Sequence, residues 1–212
     1  FNFTFVGFRG ELTPIWKISG EHIWQTGRVP MYGGNNRRQP QSSNAYIISS
    51  RVLQENVAVY KYDFIYARGD NDRGSVTAMG NGTDSRIGRS DHTFYYFGHI
   101  DTGLVYSPRI SNMVIHHVGA TFHVPELPEW QAEIDLYNFR RDVSHTAVSD
   151  PYVNRHGAHL GREGDISLEY RPFTNLSLSA DYGMFFGGHS HRTISNSSPR
   201  REYFGFSCAV DF

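Results

Sequence analysis

Several function classes are excluded by what the chain lacks. It contains no apolar run of about 18 residues, the length a helix needs to cross a bilayer, so no transmembrane helix is expected. That leaves the other route through a membrane open, because a transmembrane β-strand shows lipid only every second residue and looks hydrophilic on average. There is one cysteine, Cys208, so no intrachain disulfide can form and thiolate zinc clusters are excluded. The formal net charge is −1, which gives no broad basic field, and nucleic acid is not an expected partner. Neither a Gly-X-Ser-X-Gly elbow nor a Walker-type phosphate loop occurs, and no nucleophile–base set stands out. No catalytic residue, cofactor or metal is therefore expected. The chain opens on Phe1, not Met, which fits a mature product or a piece of a longer chain.

What is present is period-2 alternation bounded by turn residues, the mark of strands with two unlike faces. Aromatic residues make up 15% of the chain, enough for girdles at two membrane interfaces. The end of the chain is the clearest case. Phe204, Phe206, Cys208, Val210 and Phe212 alternate with Tyr203, Gly205, Ser207, Ala209 and Asp211. The same pattern recurs over 176–186, 165–171, 130–137, 60–67 and 16–25. Further strands are expected near 112–123 and 45–53, and one beginning at Phe1, Phe3 and Phe5. The total is about nine strands, each long enough to cross a membrane with tilt.

The connections alternate in length. Short ones lie near 10–14, 54–56, 125–128 and 172–175, and long ones at 27–44, 69–109, 142–161 and 187–200. Tight turns at one end and long loops at the other are what outer-membrane barrels show. The expected fold is all-β: residues 1–212 form one segment of a transmembrane antiparallel β-barrel in a Gram-negative outer membrane. An odd strand number leaves an edge that lipid cannot satisfy, so upstream strands or a partner chain are expected to complete it.

Alternation also predicts which charges face the interior. The candidate pore-lining residues are Lys17, Glu21, Arg51, Lys61, Asp63, Glu133, Asp135, Glu169, Arg171 and Asp181. Asp165 and Asp211 share their phase, so the set leans acidic. Two readings stay open at about even weight: a selectivity lining, or structural ladders of opposite charge between neighbouring strands.

Three ordered patches resemble the alginate-export family of outer-membrane channels. They are Tyr66-Ala67-Arg68-Gly69-Asp70-Asn71-Asp72, then Phe94-Tyr95-Tyr96-Phe97-Gly98-His99-Ile100-Asp101, then Gly164 to Tyr170 continued by Leu176 to Gly188. The resemblance covers mainly residues 57–212. It implies a monomeric barrel of about 18 strands, of which this chain would be the C-terminal half. It also implies passage of small solutes or a polysaccharide, in the named member a polyuronate through an Arg-rich pore. The acidic lean of this half opposes a polyanion.

The remaining motifs have plain readings beside sharper ones. Gly69, Asp70 and Asp72 invite a Ca²⁺ site, but the spacing of a full calcium loop is missing and a turn is the better expectation. His189 and His191, like His156 and His159, are expected as solvated loop histidines. His116 and His117 should point to opposite faces of one strand. Arginines in the long loops, among them Arg28, Arg37, Arg38, Arg73, Arg86, Arg89, Arg155 and Arg200, suit lipopolysaccharide phosphates, an acidic polymer, or a solvated rim. The leading functional expectation is a passive channel, with the loop 69–109 folding inward or over the mouth. The alternatives are a barrel that anchors or sheathes a partner complex, and a soluble β-sandwich.

Overall fold

A computed structural model of the chain describes residues 1–30, 38–55, 57–71, 90–95, 100, 102–146, 148, 153, 157–191 and 200–210. It contains nine strands: β1 (Asn2–Thr13), β2 (Trp16–Pro30), β3 (Arg38–Gln54), β4 (Ala58–Ala67), β5 (Met113–Val124), β6 (Leu127–Arg140), β7 (His159–Phe173), β8 (Leu176–Gly187) and β9 (Arg200–Val210). Every strand pairs with its chain neighbours, and all pairs are antiparallel, so the nine form one sheet in sequence order. The sheet does not close among the described residues. Its edges, β1 and β9, run in the same direction because each neighbour reverses.

The short connections are hairpin turns, with Pro14 and Ile15, Pro125 and Glu126, and Thr174 and Asn175 at three of the tips. Proline pre-sets the backbone for such corners and asparagine tolerates them. All four long connections leave from the opposite end of the sheet, as the alternation of loop lengths predicts.

Several strands reach further than their apolar pattern indicates. The connection expected over 27–44 is shorter, because β2 runs to Pro30 and β3 starts at Arg38, with Gly27 paired to Gln41 and Thr26 to Ser42. Likewise β7 begins at His159, inside the loop expected over 142–161. These extensions are polar, so hydrophobic periodicity could not find them.

Register keeps residues of one parity on one face. Ser49, Asp63, His117 and Tyr137 lie in one row across β3 to β6, and Ser50, Tyr62, Val118 and Leu136 in the next. Even-numbered positions make a bare face. Leu136 is 57% exposed, Phe204 75% and Phe206 69%, with Val118, Ile134 and Ile166 also open. Odd-numbered positions make a covered face, where Ile23, Ala45, Ile65, Ile115, Phe139 and Phe185 are buried. Phe94, Tyr106 and Ile110, from the connection between β4 and β5, join them in one cluster. Phe3 and Phe5 also fall on the covered face, opposite Gln25 and Ile23, while Val6 and Phe8 take the bare face of β1.

Candidate functional site

All ten charged residues singled out by alternation stand at odd positions on the covered face. Five of them belong to cross-strand contacts in β3 to β6. Arg51 forks onto Asp63, with Nη1 and Nη2 donating at 2.9 and 3.1 Å. Planar guanidinium and carboxylate match in this two-point geometry. Asp63 then faces His117, whose Nδ1 lies 2.7 Å from Oδ2, and the other ring nitrogen of His117 lies 2.6 Å from Asp135 Oδ1. An imidazole satisfies two carboxylates at once only when both nitrogens carry protons. Beside this row Lys61 pairs with Glu133. The ladder reading is therefore realised for Arg51, Lys61, Asp63, Glu133 and Asp135.

The other five candidates are arranged differently. Glu169 and Arg171 pair with each other along β7, at 2.8 and 3.0 Å near the turns. Lys17 pairs with Glu11 at 3.1 Å. Glu21 and Asp181 form no ion pair among the described residues.

Two members of the ladder carried a weaker signal. His117 points away from His116, which meets Tyr62 Oη on the bare face at 3.1 Å, as strand alternation predicts, but its two carboxylate partners follow only from register. Gly119 is the second. A Cβ there would stand 2.1 Å from Asp135 Oδ1, so the bridge from His117 to Asp135 needs a residue without one.

Above the ladder, toward the long connections, residues 91–95 and 104–106 of the stretch between β4 and β5 lie against the covered face. Residues 91–95 run beside the upper part of β3. Gln25 both donates to Tyr95 O (3.0 Å) and accepts from Tyr95 N (2.8 Å). Gln41 donates to Thr93 O (3.0 Å), and Ser43 to His92 O (2.7 Å). These polar side chains are why β2 and β3 extend beyond their apolar stretch: each satisfies a backbone group that would otherwise be buried unpaired.

Residues 104–106 are held in a second way. The amide of Leu104 donates to Asp165 Oδ2 (3.0 Å), and those of Val105 and Tyr106 donate to Glu163 Oε1 (2.6 Å) and Oε2 (2.7 Å). Gly103 precedes them with φ +129, a conformation that favours glycine. A Cβ on Gly183 would meet Asp165 and Val105, so this glycine also leaves room for the segment. Tyr106 then stacks on Phe185, with ring centroids 4.4 Å apart, and meets Phe139 edge-on at 4.8 Å. Glu163 belongs to the same odd phase as Asp165, and extending the alternation by one step upstream would have found it.

The loop motif is structural where it is described. Gly69 donates to Asp142 (2.8 Å) and lies so close to Asn112 that a Cβ would stand 2.1 Å from Asn112 Oδ1. Asp70 is buried and accepts from the amide of His92 at 2.9 Å. His92 is 22 residues further along the chain, so this contact ties the start of the connection to its later part. Asp72 lies outside the described residues, as do Arg37, Arg73, Arg86, Arg89, Arg155 and His156. Among the described residues no three potential ligands gather as a metal site.

The histidine expectation needs correction at two positions: His159 is half-buried and opens β7, with Nε2 enclosed, and His191 lies deeper still. His191 is buried, not solvated, and packs against Tyr106 and Phe185 at 5.6 and 5.3 Å between ring centroids. Its ring is largely apolar, which suits this aromatic pocket. His189 is exposed as expected.

No helix among the described residues is long and apolar enough to cross a membrane. A scan of protein-family models gives no match, and no curated protein matches the sequence.

Proposed function

We propose that the chain forms a large part of an outer-membrane β-barrel in a Gram-negative bacterium, and that the barrel is a channel for small solutes. The observation that carries this reading is the inversion of the two faces. Along the middle of the strands the bare face holds exposed large apolar side chains and no Lys or Arg, while the covered face holds the paired charges, with its buried apolar cluster toward the long connections. In water such a sheet would expose an apolar surface far larger than a monomer tolerates. In a bilayer the same surface meets hydrocarbon, and the covered face becomes an aqueous bore.

The spacing of aromatic residues supports the same environment. On the bare face, Trp16, Tyr60, Trp130 and Tyr170 lie near the turns, with Trp130 stacked on Tyr170 at 4.5 Å. Trp24, Tyr46 and Tyr66 lie toward the long connections, with His22 stacked on Tyr46 at 4.2 Å. From Trp16 to Trp24 is roughly 26 Å of strand at about 3.3 Å per residue. Tilted by about 40°, that strand rises roughly 20 Å along the barrel axis, which puts the two aromatic belts just inside the limits of an apolar band of about 25 Å.

The open edges require further strands, from the same chain or a partner, because unpaired edge groups in lipid cost several kcal/mol each, on the order of. A barrel of about 18 strands, as in the alginate-export family, is part of this proposal. Membership of that family rests on the three sequence patches. For the solute, Glu21 and Asp181 leave an acidic excess on the covered face, which favours neutral or cationic solutes over a polyanion. Residues 91–95 and 104–106, held against the covered face, narrow the bore in the manner of an inward-folded loop.

That same segment supports a second reading. If it fills the bore, the barrel serves to anchor or sheathe a partner. Conductance in planar bilayers separates the two, using the native assembly. A channel gives discrete pores, and Glu163→Ala, which releases the amides of Val105 and Tyr106, raises the conductance per pore. Silence from both wild type and variant, with insertion verified, would end the channel reading.

A further inference from the structure

We infer that β6 to β9 carry a binding site on the bare face for the phosphate groups of an outer-leaflet glycolipid. The inference rests on the membrane reading above and adds a specific ligand to it.

The argument begins with where the bare-face cations lie. Within the described strands, the even-numbered Lys and Arg residues are Arg28, Arg38, Arg140, Arg162 and Arg200, and all are exposed. Every one stands at the end from which the long connections leave. At the turn end the bare face of the strands has none. On the covered face the strand cations are Arg9, Lys17, Arg51, Lys61, Arg171 and Arg201, and of these only Arg201, beside Phe185, stands at the long-connection end. A solvated rim would have no reason to respect this division.

Three of the five arginines form a compact group directly above the apolar band. Arg162 on β7 pairs in register with Phe186 on β8, and Phe186 with Arg200 on β9. Two strand spacings, about 10 Å, separate the two arginine backbones, and Arg200 lies over the Phe186 ring at 6.0 Å. Arg140 sits one pleat above Asn138, which is itself paired with Arg162.

A register shift after Phe139 pairs Arg140 with His159, whose half-buried ring has Nε2 inside the fold, so the cations of the group are the three arginines.

The acids nearby do not cancel the group. Glu202 binds Arg200 at 2.5 Å. Asp142 is engaged by Tyr66 Oη at 3.2 Å and by the amide of Gly69. Arg140 and Arg162 have no carboxylate partner among the described residues. Below them lie exposed Leu136, Ile166, Phe186 and Phe204. Paired guanidinium forks above an apolar surface fit a ligand with phosphates on a sugar head and acyl chains beneath it. A free phosphate would lack the second half of that contact.

The test uses the native assembly in phosphatidylcholine vesicles with and without a minor fraction of bisphosphorylated lipid A. Quenching of tryptophan by brominated lipid reports insertion, and co-purified lipid A reports the site. Wild type should insert and retain lipid A, and inorganic phosphate should not displace it. The triple variant Arg140→Ala/Arg162→Ala/Arg200→Ala should insert equally but bind lipid A about tenfold or more weakly, the scale of one or two lost charge-assisted contacts. Arg9→Ala, on the covered face of β1, should bind as wild type does. Equal lipid A retention by wild type and triple variant, both inserted, overturns this site alone. Failure of wild type to insert overturns the membrane reading and the site with it. Displacement by inorganic phosphate overturns the lipid assignment.

Discussion

The bare and covered faces come from the same strands, often from adjacent residues, yet obey opposite rules. His116 and His117 show the contrast at one step of the chain. His116 meets a tyrosine hydroxyl among exposed aromatic rings, whereas His117 is buried between two carboxylates. On the bare face, large apolar residues stand open and no cation interrupts the middle of the strands. On the covered face, charges are matched across strands, and where they stop, backbone amides take their place. The lesson is that one sheet carries two unlike faces, its buried apolar cluster lying on the same side as the paired charges.

The largest expected effect comes from putting a charge where the bare face is most apolar. Val118 lies at mid-strand in β5, in register with Tyr62 and Leu136. Val118→Arg should destabilise the inserted protein by about 2–4 kcal/mol, the cost of a cation near a bilayer midplane. Urea unfolding in vesicles measures it. If the variant instead folds normally in detergent-free buffer, the bare face does not meet lipid and the contrast fails.

A smaller effect is expected from crowding the covered face. Gly119→Val should force Asp135 away from His117 and cost about 1–3 kcal/mol, since a buried charged partner is left unsatisfied. Gly119→Ala should do the same to a lesser degree. The same urea midpoint serves, and an unchanged value for both variants would show that the bridge contributes nothing. The smallest effect belongs to the exposed end of that face. Arg171→Ala removes a solvated pair near a turn, where water and salt screen the charges. No change in the unfolding midpoint is expected, and a clear drop would mean that this corner is buried in the complete assembly.

The sequence makes the strand middles and their facing legible, because alternation is a local property. It makes the charged set legible for the same reason: ten residues chosen by phase fall on one face. It does not reveal how they pair. The contact of Arg51 with Asp63 and those of His117 with Asp63 and Asp135 depend on inter-strand register, which is fixed by turn lengths and by small residues such as Gly119. The polar upper parts of β2 and β3 are equally hidden. Gln25, Gln41 and Ser43 look like loop residues until the backbone of 92–95 arrives beside them. Glu163 is lost at the boundary of a strand read one step too short.

The anchorage of residues 104–106 separates two tasks that a narrowing element must combine. Glu163 and Asp165 grip main-chain amides, and any residue except proline supplies an amide. Staying in place therefore makes little demand on what Leu104 and Val105 are. Their side chains can be exchanged for wider, narrower or charged ones while the tether holds. Under the channel reading proposed above, a barrel built this way would be retuned for a new solute by rewriting a few letters of one inward stretch, leaving its walls untouched.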